Sequence, residues 1–271
     1  HEVDLGTVLD TLGPSGVPRP WQQETFRRWR WLFGLDGYRP DGDGLALVED
    51  LKRATSARAQ ELVKRLRRRL LQVVLPEVAG GFIAFRYQER NITAETDETL
   101  QEIARASLGL VHRLISVLYA EACHMLPIYH PGYRGQSLTT LVRWATNTLE
   151  RRLPVSRATH ATPKYDALLT LFRNLEHGHR ELGLTGHGGG LFSPVDPDYG
   201  FLERHRLSDR VVARTLTALG QFDGEPIDYG LLSVRHISSL DEGLLENSLW
   251  VVEASAGQVA FVNASGGFES V

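Results

Sequence analysis

The chain has 271 residues, which is enough for one large domain or two modest ones. Its 42% hydrophobic and 23% charged residues are typical of a soluble globular protein. A net charge of −3 argues against a surface that binds nucleic acid throughout, although a local basic patch is compatible with it. No run approaches the ~18 apolar residues of a membrane span, and the start lacks the order of a signal peptide. Without such a run we expect no membrane contact. The one cysteine, Cys123, excludes a disulfide framework, so we expect a protein of the reducing cytoplasm.

Residues 1–44 differ in composition from the rest of the chain. A weak apolar pattern is followed by a Gly/Pro break at 13–20, an aromatic-rich run at 21–33 and a turn region at 34–44. We interpret residues 1–44 as an N-terminal extended, aromatic segment ahead of a helical domain at 45–246.

The first long helical pattern covers residues 45–75, with a possible break at Thr55 and Ser56. Leu62, Leu66 and Leu70 recur at helical spacing, and Pro76 with the glycines that follow is expected to end the helix. The opposite face is basic and comprises Arg58, Lys64, Arg65, Arg67, Arg68 and Arg69. Two interpretations stay open: a face that only contacts water, or one that contacts the phosphates of DNA.

Residues 97–127 form the strongest helical pattern and are expected to be the helix on which the others pack. Leu100, Ile103, Val111 and Leu118 follow the spacing of one face, and apolar residues spread to both sides in the second half. Thr96 or Asp97 is suited to cap the start. We expect a core helix without chemistry of its own.

The remaining sequence predicts further helices and one hairpin. A loop at 129–135 precedes helices that begin near Ser137, Pro163 and Ser208, and a glycine-rich stretch occupies 183–197. A short helix is expected from about Ser238, and two apolar runs within 249–262 predict a β-hairpin. The fold class is therefore mainly α, a multi-helix domain with a small β component at its two ends, the hairpin being part of a C-terminal segment at 247–271.

Several short motifs contain residue types found in catalytic or metal sites. Asp41, Asp50 and Lys52 supply the letters of a PD-(D/E)XK nuclease, but Asp50 and Lys52 lie in a helical pattern, where positions i and i+2 point to different faces. The stretch Asp196-Pro197-Asp198-Tyr199 resembles an incomplete methyltransferase (N/D)PP(Y/F) loop, and Gly188-Gly189-Gly190 lacks the Lys-Ser/Thr of a P-loop. The histidines His124, His177 and His179 with Cys123 have no zinc-finger spacing. We expect no catalytic residues, no metal and no cofactor in this chain.

Three segments, in this order, are similar to one family. Residues 107–121, SLGLVHRLISVLYAE, resemble an "RLLFLLYAE" helix; residues 188–192, GGGLF, resemble an "NGGLF" turn; and residues 227–246 resemble "IDYGxLSVxHLGSIYEGLLE". The family comprises the type IIG restriction-modification enzymes and the related adenine-specific DNA methyltransferases of phage-defence systems such as BREX and DISARM. Gly188 replaces the usual Asn and Asp241 the usual Tyr, and the latter bears on the packing there.

The resemblance implies a helical region ahead of a methyltransferase domain, joined in some members to a nuclease. Its structural motif positions fall on Tyr119, Glu121, Gly189, Gly190, Leu191, Phe192, Tyr229, Glu242 and Gly243. S-adenosylmethionine is implied for a longer parent, and magnesium if a nuclease is attached, whereas no catalytic residue carries over to this chain.

These observations predict a non-catalytic connector that positions methyltransferase and nuclease modules and contacts DNA through its basic helix. We expect Tyr119, Leu191, Phe192 and Tyr229 to be buried. The alternatives are a magnesium-dependent nuclease fragment using Asp41, Asp50 and Lys52, and a protein–protein adaptor.

Overall fold

The computed structural model describes residues 47–89, 96–155, 162–186, 190–193, 197–245, 247–252 and 258–263. The N-terminal segment, including Asp41, lies outside these residues. By its internal contacts the chain divides into two compact units, 1–60 and 61–271, and of the first unit only residues 47–60 are described.

The described residues confirm a mainly helical fold with a small antiparallel β component. Its α-helices are α1 (Leu47–Arg69), α2 (Leu75–Glu89), α3 (Asp97–Ala122), α4 (Pro131–Gln136), α5 (Leu138–Glu150), α6 (Pro163–His177), α7 (Pro197–Arg204), α8 (Asp209–Gly220) and α9 (Val234–Leu245). A π-helical turn (Leu70–Val74) joins α1 to α2, and 3₁₀ turns cover Arg180–Leu182 and Tyr229–Leu231. The strands are β1 (Gln221–Phe222), β2 (Glu225–Pro226), β3 (Asn247–Val252) and β4 (Gln258–Asn263).

Both pairs of strands are antiparallel hairpins. The predicted C-terminal hairpin is present as β3 and β4, in a register that pairs Asn247 with Asn263 and Val252 with Gln258. The hairpin of β1 and β2 was not predicted from the sequence. It turns at Asp223 and Gly224, which have φ of 53° and 85°, the left-handed pair that an Asp-Gly hairpin turn requires.

The prediction that Pro76 and the following glycines end the first helix was wrong. The Leu75 N–H bonds to the Leu70 carbonyl five residues back, so the helix widens by one π turn just before the proline and continues to Glu89. Gly81 lies inside α2, and a Cβ at this position would stand 2.8 Å from Cδ2 of Leu207. Gly81 therefore allows the close approach of Leu207 and does not end the helix. No break occurs at Thr55 or Ser56.

The helix α3 is the centre of the packing, as predicted. Thr96 caps its start by accepting the Thr99 N–H at 3.3 Å, and α3 contacts α2, α5, α7, α9, β3 and the Tyr229–Leu231 turn. It ends at Ala122, five residues before Pro127. The end is closed by Met125 N–H to Ala120 O and His124 N–H to Glu121 O, a Schellman motif with His124 in the left-handed position.

Three more helices test the predictions. Those expected near Ser137, Pro163 and Ser208 are confirmed, and both serines accept a backbone N–H three residues on. The expected loop at 129–135 contains the short helix α4, and α7 was not foreseen; a proline occupies the first turn of each. The helix α9 begins four residues before the expected Ser238.

Candidate functional site

The basic face of α1, defined here as Lys64, Arg65, Arg67, Arg68 and Arg69, lies opposite the core. Leu66 and Leu70 on the other side are fully buried, whereas all of these basic residues except the half-buried Arg69 are exposed. The predicted separation of the two faces is confirmed. Arg58, on the part of α1 that belongs to the first unit, is also exposed.

Two of these arginines are held by the β1–β2 hairpin. The guanidinium carbons of Arg65 and Arg69 lie 4.4 and 4.9 Å from the centre of the Phe222 ring, and Arg65 Nη2 is 3.0 Å from Asp223 Oδ2. By contrast, Lys64 and Arg68 are exposed and form no ion pair with any described residue. The basic face therefore has an anchored part and an open part.

A buried arginine on α3 connects two of the three family-like segments. Arg113 is 1% exposed, and its Nε donates to the Leu191 carbonyl at 2.8 Å. Its guanidinium carbon is 5.6 Å from the centre of the Tyr199 ring on α7. Burial, followed by the nearby Glu203 carboxylate, raises the pKa of Tyr199. Arg113 was not predicted from the sequence as a functional residue; its one signal there is a charge among the apolar positions of α3.

A buried carboxylate lies near the end of the same helix. Oε1 of Glu121 accepts the Tyr133 hydroxyl at 2.7 Å and the Leu138 N–H at 2.8 Å, while Oε2 accepts the N–H and hydroxyl of Thr139 at 2.8 and 2.6 Å. Glu121 is 2% exposed and lies at the N-terminus of α5, where the helix dipole favours a negative charge. Burial first, then the Glu121 charge, raises the pKa of Tyr133. Glu121 thus fixes α5 against α3.

The third family-like segment also packs on α3. The Tyr229 side chain is buried, its hydroxyl donates to the Leu219 carbonyl at 2.9 Å, and burial raises its pKa. The helix α9, which contains Gly243 and the exposed Glu242, contacts α3. The three segments, far apart in sequence, meet on one helix.

The expected burial of the motif residues holds in part. Tyr229 is buried, whereas Tyr119, Leu191 and Phe192 are half-buried. The Phe192 ring centre lies 5.5 Å from that of Phe172. Gly190 has φ 85°, as expected of a glycine in a tight turn, and Gly189 lies outside the described residues.

An open pocket of about 740 Å³ lies between the end of α3 and the polar face of α5. The pocket is lined by apolar side chains on one side and by basic and aromatic side chains at its rim. This pocket was not predicted from the sequence, because its residues come from five separate stretches of the chain. The main contributors are Leu118, Val142 and Ile227 on the apolar side and Tyr129, Arg134 and Arg143 at the rim.

The motifs weighed as catalytic do not assemble in the described part of the chain. Asp50 and Lys52 are both exposed on the first turns of α1. Pro197 begins α7 and Tyr199 is buried within it, so the methyltransferase-like letters start a helix here. No group of three His, Cys, Asp or Glu side chains that could hold a metal is present among the described residues.

Two helical stretches, Val48–Glu89 and Asp97–Ala122, are long and apolar enough by composition to cross a membrane. In their most apolar windows, 50% and 61% of the residues are buried within the protein. Core helices of soluble proteins satisfy the same criterion, so this composition is weak evidence for a membrane span.

Comparison of the chain with protein-family models, with curated proteins and with solved structures finds no match.

Proposed function

We propose that this chain is a non-catalytic helical connector from a restriction-modification or phage-defence adenine-specific DNA methyltransferase. It would act in the cytoplasm, set the distance between the methyltransferase and nuclease modules of a longer parent, and contact DNA phosphates through the basic face of α1. The observation that carries the DNA contact is the exposure of Lys64 and Arg68 without a carboxylate partner among the described residues. Clustered cations of this kind release counterions when they meet a duplex.

The connector role is supported by hydrogen bonds that polar side chains of the family-like segments form between different elements of the fold. The Arg113–Leu191 contact, the Glu121 cluster at α5 and the Tyr229–Leu219 contact each join one helix to another element. Side chains committed to interior hydrogen bonds stiffen a scaffold and leave little for catalysis. A rigid body is what a spacer between modules requires.

The cofactor of the proposed parent does not fit the residues described here. S-adenosylmethionine would need a strand that leads into a glycine loop at a helix N-terminus, and no such unit occurs among the described strands. We therefore assign the cofactor to the methyltransferase module of the parent, and magnesium to a nuclease module where one is attached.

The DNA contact is tested with the double variant Lys64→Ala/Arg68→Ala. Fluorescence anisotropy of a labelled duplex is measured across a range of salt concentrations for the wild type and the variant. Each lost phosphate contact should reduce the slope of log affinity against log salt by about 0.9, so we expect a change of about 2. Arg151→Ala/Arg180→Ala, which removes two exposed arginines elsewhere, is the matched control and should keep the wild-type slope.

Other outcomes would point to the alternatives. If the wild type does not bind DNA even at low salt, the DNA contact is wrong and the adaptor interpretation takes its place. Magnesium-dependent cleavage of the duplex that Asp50→Ala abolishes would replace the connector by the nuclease fragment.

A further inference from the structure

We propose that the pocket between α3 and α5 is a binding site for a small anionic aromatic ligand of the nucleoside monophosphate class. An aromatic base would lie against Tyr129, and the phosphate would be bound by Arg134 and Arg143. This site is independent of the basic face of α1, which lies on another helix.

The size and lining of the pocket suit a ligand with an apolar body. Its volume of about 740 Å³ falls within the ~300–1,000 Å³ of typical small-molecule sites. Leu118, Val142 and Ile227 contribute apolar surface, and Thr146 and Asn147 add polar groups on the same face of α5. This combination of apolar surface and a few polar groups is typical of sites that orient a small ligand.

The rim carries an aromatic pair in an unusual backbone setting. The rings of His124 and Tyr129 are stacked with centres 5.4 Å apart and planes 6° apart, while Tyr129 is 79% exposed. His124 holds φ 56° at the Schellman position of α3, where glycine is the usual residue. A non-glycine residue in that region is strained, and such strain clusters at functional sites. We infer that the histidine ring is kept there because it supports Tyr129 as a stacking surface.

The charges favour an anion. Arg134 and Arg143 line the pocket and are exposed, in a chain whose net charge is −3. Arg143 Nη2 donates to the Thr140 hydroxyl at 3.2 Å, and that hydroxyl donates to the Arg134 carbonyl at 2.8 Å, so one threonine links both residues. The acidic residue in the lining, Glu121, is 2% exposed with both oxygens hydrogen-bonded, so its charge is largely compensated. Two guanidiniums and an exposed aromatic ring in the lining of one pocket fit a phosphate joined to a base.

The test is isothermal titration of the whole chain with adenosine 5′-monophosphate (AMP). We expect saturable binding that is about tenfold weaker for adenosine, which lacks the phosphate, and for inorganic phosphate, which lacks the base. Arg143→Ala and Tyr129→Ala should each weaken AMP binding about tenfold, since both side chains are exposed and their loss leaves the fold intact. A short 5′-phosphorylated oligodeoxyadenylate distinguishes a free nucleotide from a nucleic-acid end: tighter binding than AMP assigns the site to the end of a strand, and weaker binding assigns it to the free nucleotide.

Two controls make the outcome decisive. Arg151→Ala, at an exposed arginine just after α5, and the α1 variant Lys64→Ala/Arg68→Ala should both keep wild-type AMP affinity.

His124→Gly should raise the thermal midpoint, because glycine adopts the left-handed conformation without strain, and should weaken AMP binding by removing the stacked ring. The proposal fails if neither AMP nor the oligonucleotide binds saturably, or if Arg143→Ala and Arg151→Ala weaken binding equally.

Discussion

Two helices of this protein use charged side chains in opposite ways. On α3, Arg113 and Glu121 are 1% and 2% exposed and bond to the carbonyl or N–H groups of other elements. On α1, Lys64 and Arg68 are exposed and form no ion pair with a described residue. The buried charges hold elements together, because an unpaired charge in the interior costs too much to be tolerated. The exposed ones contribute little to folding and are available to a ligand.

The largest effect in this comparison is expected from Glu121→Ala. Removing the carboxylate leaves the Tyr133 hydroxyl and two backbone N–H groups of α5 without an acceptor. We expect the free energy of unfolding to fall by about 3–5 kcal/mol, as measured by urea denaturation. Glu150→Ala, at an exposed position of α5, is the control and should change it by less than about 0.5 kcal/mol. Equal effects of the two variants would remove the distinction between buried and exposed charges.

Arg113→Met is expected to have the next largest effect. Methionine fills much of the same space but leaves the carbonyl of the half-buried Leu191 without the Nε–H donor. The cost should be about 1–3 kcal/mol in the same urea assay. Arg105→Met replaces an exposed arginine on the same helix, eight residues earlier, and should be close to neutral. A neutral Arg113→Met would mean that α3 holds the 190–193 turn by apolar packing alone.

The carboxylate of Glu77 on α2 is half-buried, between the two extremes above, and its contribution to stability should depend on pH. Burial raises the pKa of Glu77 above its usual 4.5, and this outweighs the lowering by Arg214 and Arg210. The protonated form therefore favours folding: the contribution of Glu77 to stability is full below pH about 4.5 and is lost as the pH rises through the raised pKa.

Comparison with Glu77→Gln isolates this contribution. We expect the unfolding free energy of the wild type to fall relative to Glu77→Gln as the pH is raised from below 4.5 to neutral. Glu98→Gln, at an exposed position near the start of α3, controls for the loss of a carboxylate as such. A relative gain for the wild type over that interval would mean that the arginines outweigh burial.

The smallest effect on stability is expected from Asp223→Asn, which replaces the carboxylate that pairs with Arg65 in the anchored part of the basic face. Asparagine tolerates the left-handed backbone at this turn, and the ion pair is exposed, so stability should change by less than about 1 kcal/mol. If the basic face binds DNA, affinity for the labelled duplex should rise at low salt. Unchanged DNA affinity would mean that the stacking on Phe222 suffices to hold Arg65 away from the phosphates.

Local signals predicted much of the helical layout. The serine caps at 137 and 208, the proline at 163 and the apolar spacing of α3 act through contacts within a few residues, so the sequence shows them directly. The helix end predicted at Pro76 was wrong, because a π turn that widens the helix ahead of a proline has no sequence signature. The α1 face was predicted as basic, yet its division into anchored and open parts depends on Phe222 and on Asp223, which is 158 residues from Arg65 in the chain.

The sequence by itself determined the core helix α3, the helices that begin near Ser137, Pro163 and Ser208, and which side of α1 is polar, because capping and amphipathic spacing are properties of neighbouring residues. Only the tertiary structure decided which charges are buried, since the partners of Arg113 and Glu121 come from elements 78 and 12–18 residues distant. The pocket at the end of α3 likewise exists only when its separate stretches pack together, with His124 stacked on Tyr129 at its rim. Packing brings residues that are far apart in the sequence within hydrogen-bonding distance, and a local sequence pattern does not predict which of them will meet.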